Sequence, residues 1–285
     1  MTAPAPLSPI LYEAIARRAL EEDLGRGGDL TTDLVVPATA RLVARLVART
    51  DGRIAGLPVA ATVFRMLDRA IAIDTVAGDG RDVAAGDVLA TVEGPARPIL
   101  TAERCALNFL GHLSGIASAT RDVVAAVAGH PARIVCTRKT TPGLRALEKY
   151  AVRVGGGANH RFGLDDAVLI KDNHRALAGG IGPAVARARD RIGHLVKIEV
   201  EVDTLAELGE ALDANVDAVL LDNMPLDTLA EAVALAKGRV ITEASGTVTA
   251  SSAAAIAATG VDLISVGWIT HSAPAMDLAL DVETP

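Results

Sequence analysis

Apolar positions along the chain change their period twice. Between Pro9 and Glu22, Ile10, Ala14, Ile15, Ala19 and Leu20 recur on one helical face, and Ser8 is placed to cap that helix. The loop "EDLGRGGDLTTD" ends it with glycines and acids. Over residues 41–100 the period falls to two. The runs "RLVARLVART" and "GDVLATVEG", punctuated by Gly-Asp turns, predict small antiparallel strands with a helix near Leu57 to Leu67. From Ala102 helices return, with Arg104, Leu107, Leu110 and Leu113 on a recurring stripe.

Residues 133–267 then repeat one unit six times: a short apolar run that ends in polar or glycine residues, followed by a helical stretch. The runs are "RIVC" into Thr137, Arg138 and Lys139; "AVLI" into Lys171; "VKIEVEV" carrying Glu201; "AVLL" into Asp222; "VITEA" into Ser245 and Gly246; and "LISV" into Gly267. Near-continuous Val/Ile/Leu runs between helices predict parallel strands covered on both faces. In a β/α barrel every strand's C-terminal end opens on one mouth. Lys139, Lys171, Glu201, Asp222, Ser245 and Gly267 are therefore expected to converge.

Composition narrows what such a mouth binds. Half of the 285 residues are hydrophobic but only 2% are aromatic, so the core must be built from Ala, Val, Leu and Ile. A net charge of -7 and the absence of a basic run argue against nucleic acid and anionic membrane as partners, since both require a cationic face. No apolar run approaches the roughly 20 residues that span a bilayer. Cys105 and Cys136 lie in apolar surroundings and no leader pattern opens the chain, so a reduced, cytoplasmic protein is expected.

Against that acidic background the stretch "NHRFGLDDAVLIKDNH" stands out. His160 and Arg161 precede the strand and Lys171 leaves it. With Arg138 and Lys139 they would form an electropositive mouth facing Glu201 and Asp222, a set suited to a polyanion that carries a divalent metal. Glycines in "SGT" and "SVG" leave backbone N–H groups free to cradle phosphate. Each residue also has a plainer reading. Arg138 and Arg161 fit surface ion pairs. Glu199 and Glu201, on one face of their strand, fit structural pairing with Lys171 or Lys197. Asp222 and His271 fit helix caps, and "SGT" an ordinary turn.

The strings "TRKTTPGLRALEKYAVRVGGGANHRFGL", "LIKDNH", "EVEVDTL", "LLDNM", "EASG" and "GVDLISVGWITHSA" resemble the quinolinate phosphoribosyltransferase family, the carboxylating nicotinate-nucleotide pyrophosphorylases of de novo NAD synthesis. Early segments, "EDLGRGGDLTTD" and "ERCALNFLGHLSGIAS", share the resemblance. It implies an α/β fold: an N-terminal α/β sandwich domain over residues 1–114, completed by the tail 271–285, and an open β/α barrel over residues 115–270. It further implies that Arg104, Arg138, His160, Arg161 and Lys171 bind quinolinate. Lys139, Glu201, Asp222, Ser245, Gly246 and Gly267 correspond to positions around phosphoribosyl pyrophosphate and its Mg²⁺, with Glu201 and Asp222 as metal ligands. Thr137, Thr247, Val266, Trp268 and His271 complete the implied substrate contacts, and Lys139, Lys171, Glu201 and Asp222 are the implied catalytic set. The family implies a homodimer, or a dimer-based hexamer, with the active site at the subunit interface.

Three positions depart from the family pattern: Cys136 in place of a common Asp, Gly111 in place of Gln, and Thr247 in place of Gly or Asn. Other activities fit parts of the chain. Lys171 at a strand exit suits a Schiff-base aldolase. The turn spacing of "GDGRDVAAGDVLATVEG" resembles a biotinyl or lipoyl carrier, although no lysine precedes Lys139 to act as acceptor. A paralog with the same barrel, of the kind found with molybdate transporters, is a third.

Overall fold

A computed structural model of the chain describes residues 5–283. In chain order the first elements are α1 (Glu13–Leu24), α2 (Leu30–Val35), β1 (Arg41–Ala48), β2 (Gly52–Arg53), α3 (Leu57–Leu67), β3 (Ala72–Thr75), β4 (Asp82–Val83), β5 (Val88–Pro95) and α4 (Ala96–Ala126). They are followed by β6 (Arg133–Val135), α5 (Arg145–Val154), β7 (Val168–Ile170), α6 (Asp172–Ala178), α7 (Ile181–Arg189), β8 (Ile198–Val202), α8 (Leu205–Asp213) and β9 (Ala218–Asp222). Last come α9 (Leu226–Ala236), β10 (Ile241–Ser245), α10 (Ala250–Ala258), β11 (Leu263–Ser265), α11 (Trp268–His271) and β12 (Leu278–Val282). The chain divides into two compact units. One runs through Arg121 and adds Thr140–Gly156 and the segment from Ile269 onward; the other comprises Asp122–Lys139 and Gly157–Trp268. Helix α4 passes unbroken through residue 114, where the family pattern places a domain boundary.

The first unit contains a four-stranded sheet in the order β12-β1-β5-β3. Alternation explains it: Ala44, Leu46 and Ala48 are buried while Arg41 and Arg45 are exposed, so β1 offers one apolar face. Across the antiparallel ladders Ala44 meets Val92 and Val282, and Leu46 meets Ala90 and Leu280. On the polar side Arg45 pairs with Glu283 at 2.6 Å. Glycines in α4 admit the tail at close range: Met276 N–H donates to Gly111 O at 2.9 Å, and a Cβ on Gly115 would stand 2.1 Å from Pro274 O. The first helix departs from its predicted form. Pro9–Leu11 form a 3₁₀ turn, Ser8 makes no side-chain cap, and α1 begins only at Glu13. The turn consumes the N–H groups of Leu11 and Tyr12, which donate to Ser8 O and Pro9 O, so the buried stripe becomes Tyr12, Ala16 and Leu20 while Ile10 is 82% exposed.

The second unit is an open β/α barrel. Its six strands run parallel in the order β6-β11-β10-β9-β8-β7. The last strand in sequence returns beside the first, and β7 is left at the opposite end of the row, so the row does not close. Threonine caps fix where its helices begin: Thr204 and Thr249 accept from Glu207 N–H and Ser252 N–H at 3.2 and 3.1 Å. Among the described residues no helix is long and apolar enough to cross a membrane.

Candidate functional site

Side chains alternate along a strand, so the residue at each strand's C-terminal end and the residue two before it share one face. The pairs Leu169/Lys171, Leu220/Asp222 and Glu243/Ser245 follow this rule, and all line one cavity of about 510 Å³ at the C-terminal ends of the barrel strands. Thr137, Arg138 and Lys139, which follow β6, line it too, as do His160 and Arg161 from the loop before β7, Glu201 from β8, and Gly246 and Thr247 after β10. With Ser265 at the end of β11, six separate strand exits contribute to one chamber. Its cations are Arg138, Lys139, Arg161 and Lys171; its carboxylates are Glu201, Asp222 and Glu243.

One ion pair joins charges of two neighbouring strands. Lys171 Nζ donates to Glu201 Oε2, which joins the exit of β7 to β8. Lys197, the other partner considered for the strand's glutamates, binds Asp217 at 3.3 Å instead. Arg161 Nη1 donates to Ala167 O at 3.0 Å, fixing the guanidinium at the loop's return. Burial and the neighbouring Arg138 charge lower the Arg161 pKa. Two guanidinium groups held close together in this way favour the arrival of an anion.

Beneath them lies a cluster of buried acids. His160 Nδ1 accepts from Arg161 N–H at 2.7 Å, and its Nε2 lies 3.0 Å from Glu199 Oε2 and 3.5 Å from Glu243 Oε1. Glu243 is only 2% exposed; burial and the Glu199 carboxylate push its pKa up to about 7, partly offset by His160 and by the Ser265 hydroxyl. The raised pKa favours the neutral form of Glu243, which lessens the negative charge beneath the cations.

The opposite wall is built for close backbone approach. Gly246 has φ 138, and a Cβ there would stand 2.6 Å from Asn223 Oδ1. Trp268 does not line the cavity; its Nε1 donates to Val248 O at 3.0 Å and braces the loop that carries Gly246 and Thr247. Val266 is buried, with its N–H bound to Val135 O at 2.9 Å, and neither it nor Gly267 is a lining residue. Arg104 lies exposed on α4 and His271 lies exposed beside Ser272 Oγ at 2.6 Å; neither lines the cavity. Asp222 does not cap α9, whose N-cap is Pro225. Cys136 places its Sγ 3.4 Å from Asn159 Oδ1, in a buried spot, and Cys105 is buried as well. Glu201 and Asp222 place carboxylate oxygens, the hard donors that divalent cations take, on the neighbouring strands β8 and β9. Glu243 and Asn223 were absent from the set expected from sequence. Glu243 lay in plain sight, two residues before Ser245 on a barrel strand, where alternation points it inward.

Comparison with known proteins agrees with this geometry. The family model for the quinolinate phosphoribosyl transferase N-terminal domain matches residues 29–114 and that for the C-terminal domain matches residues 116–281. The carboxylating nicotinate-nucleotide pyrophosphorylase of Mycobacterium leprae is 45% identical, over 93% of this chain and 95% of that protein. A decarboxylating quinolinate phosphoribosyltransferase of Nicotiana tabacum is 40% identical, over 95% of this chain and 82% of its own. The solved nicotinate-nucleotide pyrophosphorylase of Francisella tularensis superposes with a TM-score of 0.94 at 40% identity, covering 99% of this chain and 100% of that one. Two adjoining family matches and a six-exit cationic chamber lead to one assignment: the chain belongs to the quinolinate phosphoribosyl transferase family.

Proposed function

We propose that the chain transfers the phosphoribosyl group of phosphoribosyl pyrophosphate to quinolinate with loss of CO₂, forming nicotinate mononucleotide and pyrophosphate in NAD biosynthesis. The observation that carries this reading is the gathering of Arg138, Lys139, Arg161 and Lys171 in one chamber of a chain with net charge -7. Quinolinate is a pyridine with two adjacent carboxylates, and planar guanidinium groups bind such oxygens in bidentate fashion while relieving their mutual repulsion. Arg138 and Arg161 take the carboxylates, Lys171 adds its charge from the β7 exit, and His160 fixes Arg161 from behind. The ring nitrogen then attacks C1 of the ribose as the C1–O bond to pyrophosphate breaks. Lys139 stabilises the departing pyrophosphate. The pyridinium so formed accepts the electron pair released when the C2 carboxylate leaves as CO₂, and a proton takes its place on C2.

Glu201 and Asp222 would hold the Mg²⁺ that arrives with phosphoribosyl pyrophosphate; when bound, the ion neutralises phosphate charge. Ser245, Gly246 and Thr247 present the phosphate loop. Holding two anionic substrates together supplies much of the acceleration. The functional unit is a homodimer or a dimer-based hexamer, in which Arg104 serves the partner subunit's chamber, and two buried cysteines suit a reducing cytoplasm. The Schiff-base alternative is disfavoured because Lys171 Nζ is engaged by the Glu201 carboxylate, whereas an aldolase lysine must present its nitrogen to a substrate carbonyl.

The test is a coupled assay of purified protein with quinolinate, nicotinate or nicotinamide, each with phosphoribosyl pyrophosphate and Mg²⁺. Quinolinate is expected to be consumed and nicotinate not, because losing one carboxylate leaves a cation unpaired at about 2 kcal/mol or more. Comparable turnover of nicotinate would overturn the assignment.

A further inference from the structure

Asn223 is one of two non-glycine residues with positive φ among the described residues, at 52°. Asparagine tolerates that left-handed conformation better than most residues, but glycine tolerates it best, so backbone geometry alone does not call for an amide here. The side chain explains the choice. Asn223 Nδ2 donates to Asp222 Oδ2 at 2.7 Å, and its Oδ1 occupies the space that a Cβ on Gly246 would need. Its backbone N–H donates to Ser245 O at 2.9 Å, one step beyond the register pair Asp222 and Ser245. Asn223 also lines the chamber. One residue therefore touches a candidate metal-holding carboxylate, the glycine that opens the phosphate loop, and the strand exit between them.

We propose that Asn223 is a positioning residue for the pyrophosphate end of the site. It fixes the Asp222 carboxylate by donating to one oxygen, and it braces Gly246 so that loop and carboxylate keep a set spacing. An ionised carboxylate only accepts hydrogen bonds, so a side-chain donor placed beside it selects one rotamer. A left-handed backbone at residue 223 directs the N–H to Ser245 O and the amide to Asp222 together. This rests on the assignment of Asp222 and the Gly246 loop to pyrophosphate and its cation.

Asn223→Gly separates side chain from backbone, because glycine keeps φ 52 without strain and removes only the amide. Calorimetric titration with pyrophosphate and Mg²⁺ as probe, on wild type and variant, is expected to show about tenfold weaker binding in the variant. Titration with quinolinate alone should change by less than about threefold. A second arm measures the same loss in an Asp222→Asn background, where the effect of Asn223→Gly should shrink because the charged acceptor is gone. Equal affinities of wild type and Asn223→Gly for the probe, or equal losses for both ligands, would overturn the proposal; so would a wild type that does not bind the probe. A wild type that binds pyrophosphate with Mg²⁺ but consumes no quinolinate would sink the proposed reaction and leave this inference standing.

Discussion

Glu243 offers a quantitative test of how the chamber handles charge. The residue is 2% exposed and its pKa rises from 4.5 to about 7, first through burial and then through the Glu199 carboxylate. At about 1.4 kcal/mol per pH unit, that gap amounts to about 3 kcal/mol. The sign follows from proton counting. Below pH 4.5 both folded and unfolded chains hold the proton, and the folded state keeps its full stability. Between 4.5 and about 7 the unfolded chain releases the proton while the folded one retains it, so stability falls as pH rises and levels off above about 7. Glu243→Gln cannot ionise and keeps the side chain's length. Urea melts at pH 5 and pH 8 should therefore show the wild type losing more stability than the variant, by up to about 3 kcal/mol. The variant should be the more stable of the two at pH 8. A variant that loses as much stability as the wild type over that interval would show that Glu243 ionises freely in the fold, and the account of the buried cluster would be wrong.

Three further outcomes follow from the same geometry. Arg161→Ala should lose quinolinate binding by about 2 kcal/mol or more and keep pyrophosphate binding, while Asp222→Ala does the reverse; titration of each ligand into each variant checks the division. Arg104→Ala and Lys171→Ala proteins, each inactive alone, should regain activity when mixed under conditions of subunit exchange, since one mixed site then carries both defects and the other neither; a mixture that stays inactive refutes the trans role. Gly115→Ala should destabilise the first unit by about 1–3 kcal/mol in thermal melts, because its Cβ would overlap Pro274 O at 2.1 Å, and an unchanged melting temperature would show that the tail yields at no cost.

Much of the fold was legible because its signals were local. The helix over Leu57–Leu67 and the six barrel strands appear where apolar period and glycine punctuation predict them. Helix α4 was harder. Gly111, Ser114 and Gly115 weaken a helix locally, yet they lie inside one 31-residue helix: the tail beyond residue 270 packs on the two glycines and Ser114 Oγ bonds the backbone of Ala55, contacts that no window of sequence contains. The stripe through Arg104 and Leu113 misled for a geometric reason: three-residue steps drift by about 60° each, so nine residues carry Arg104 to the opposite side, where it is exposed. In the chamber, each strand exit could be read alone. The meeting of His160 with Glu199 and Glu243 could not, since it joins a loop, β8 and β10, and the φ of Asn223 is set by its neighbour strand.

Strand β12 has a consequence for how the chain is made. Its pairing with β1 joins residues as far apart in the sequence as Ala44 and Val282. Translation proceeds at roughly 5–20 residues per second, so β1 leaves the ribosome about 12 s or more before its edge partner exists. During that interval β1 presents unpaired N–H and C=O groups along a largely apolar strand, an arrangement that invites pairing with a neighbouring nascent chain. The barrel unit between them is complete in sequence by Trp268 and can fold first. Slow synthesis or a polysome crowded with copies of this chain therefore exposes the first unit to misassembly more than the second, and chaperone capture during synthesis should concentrate on β1.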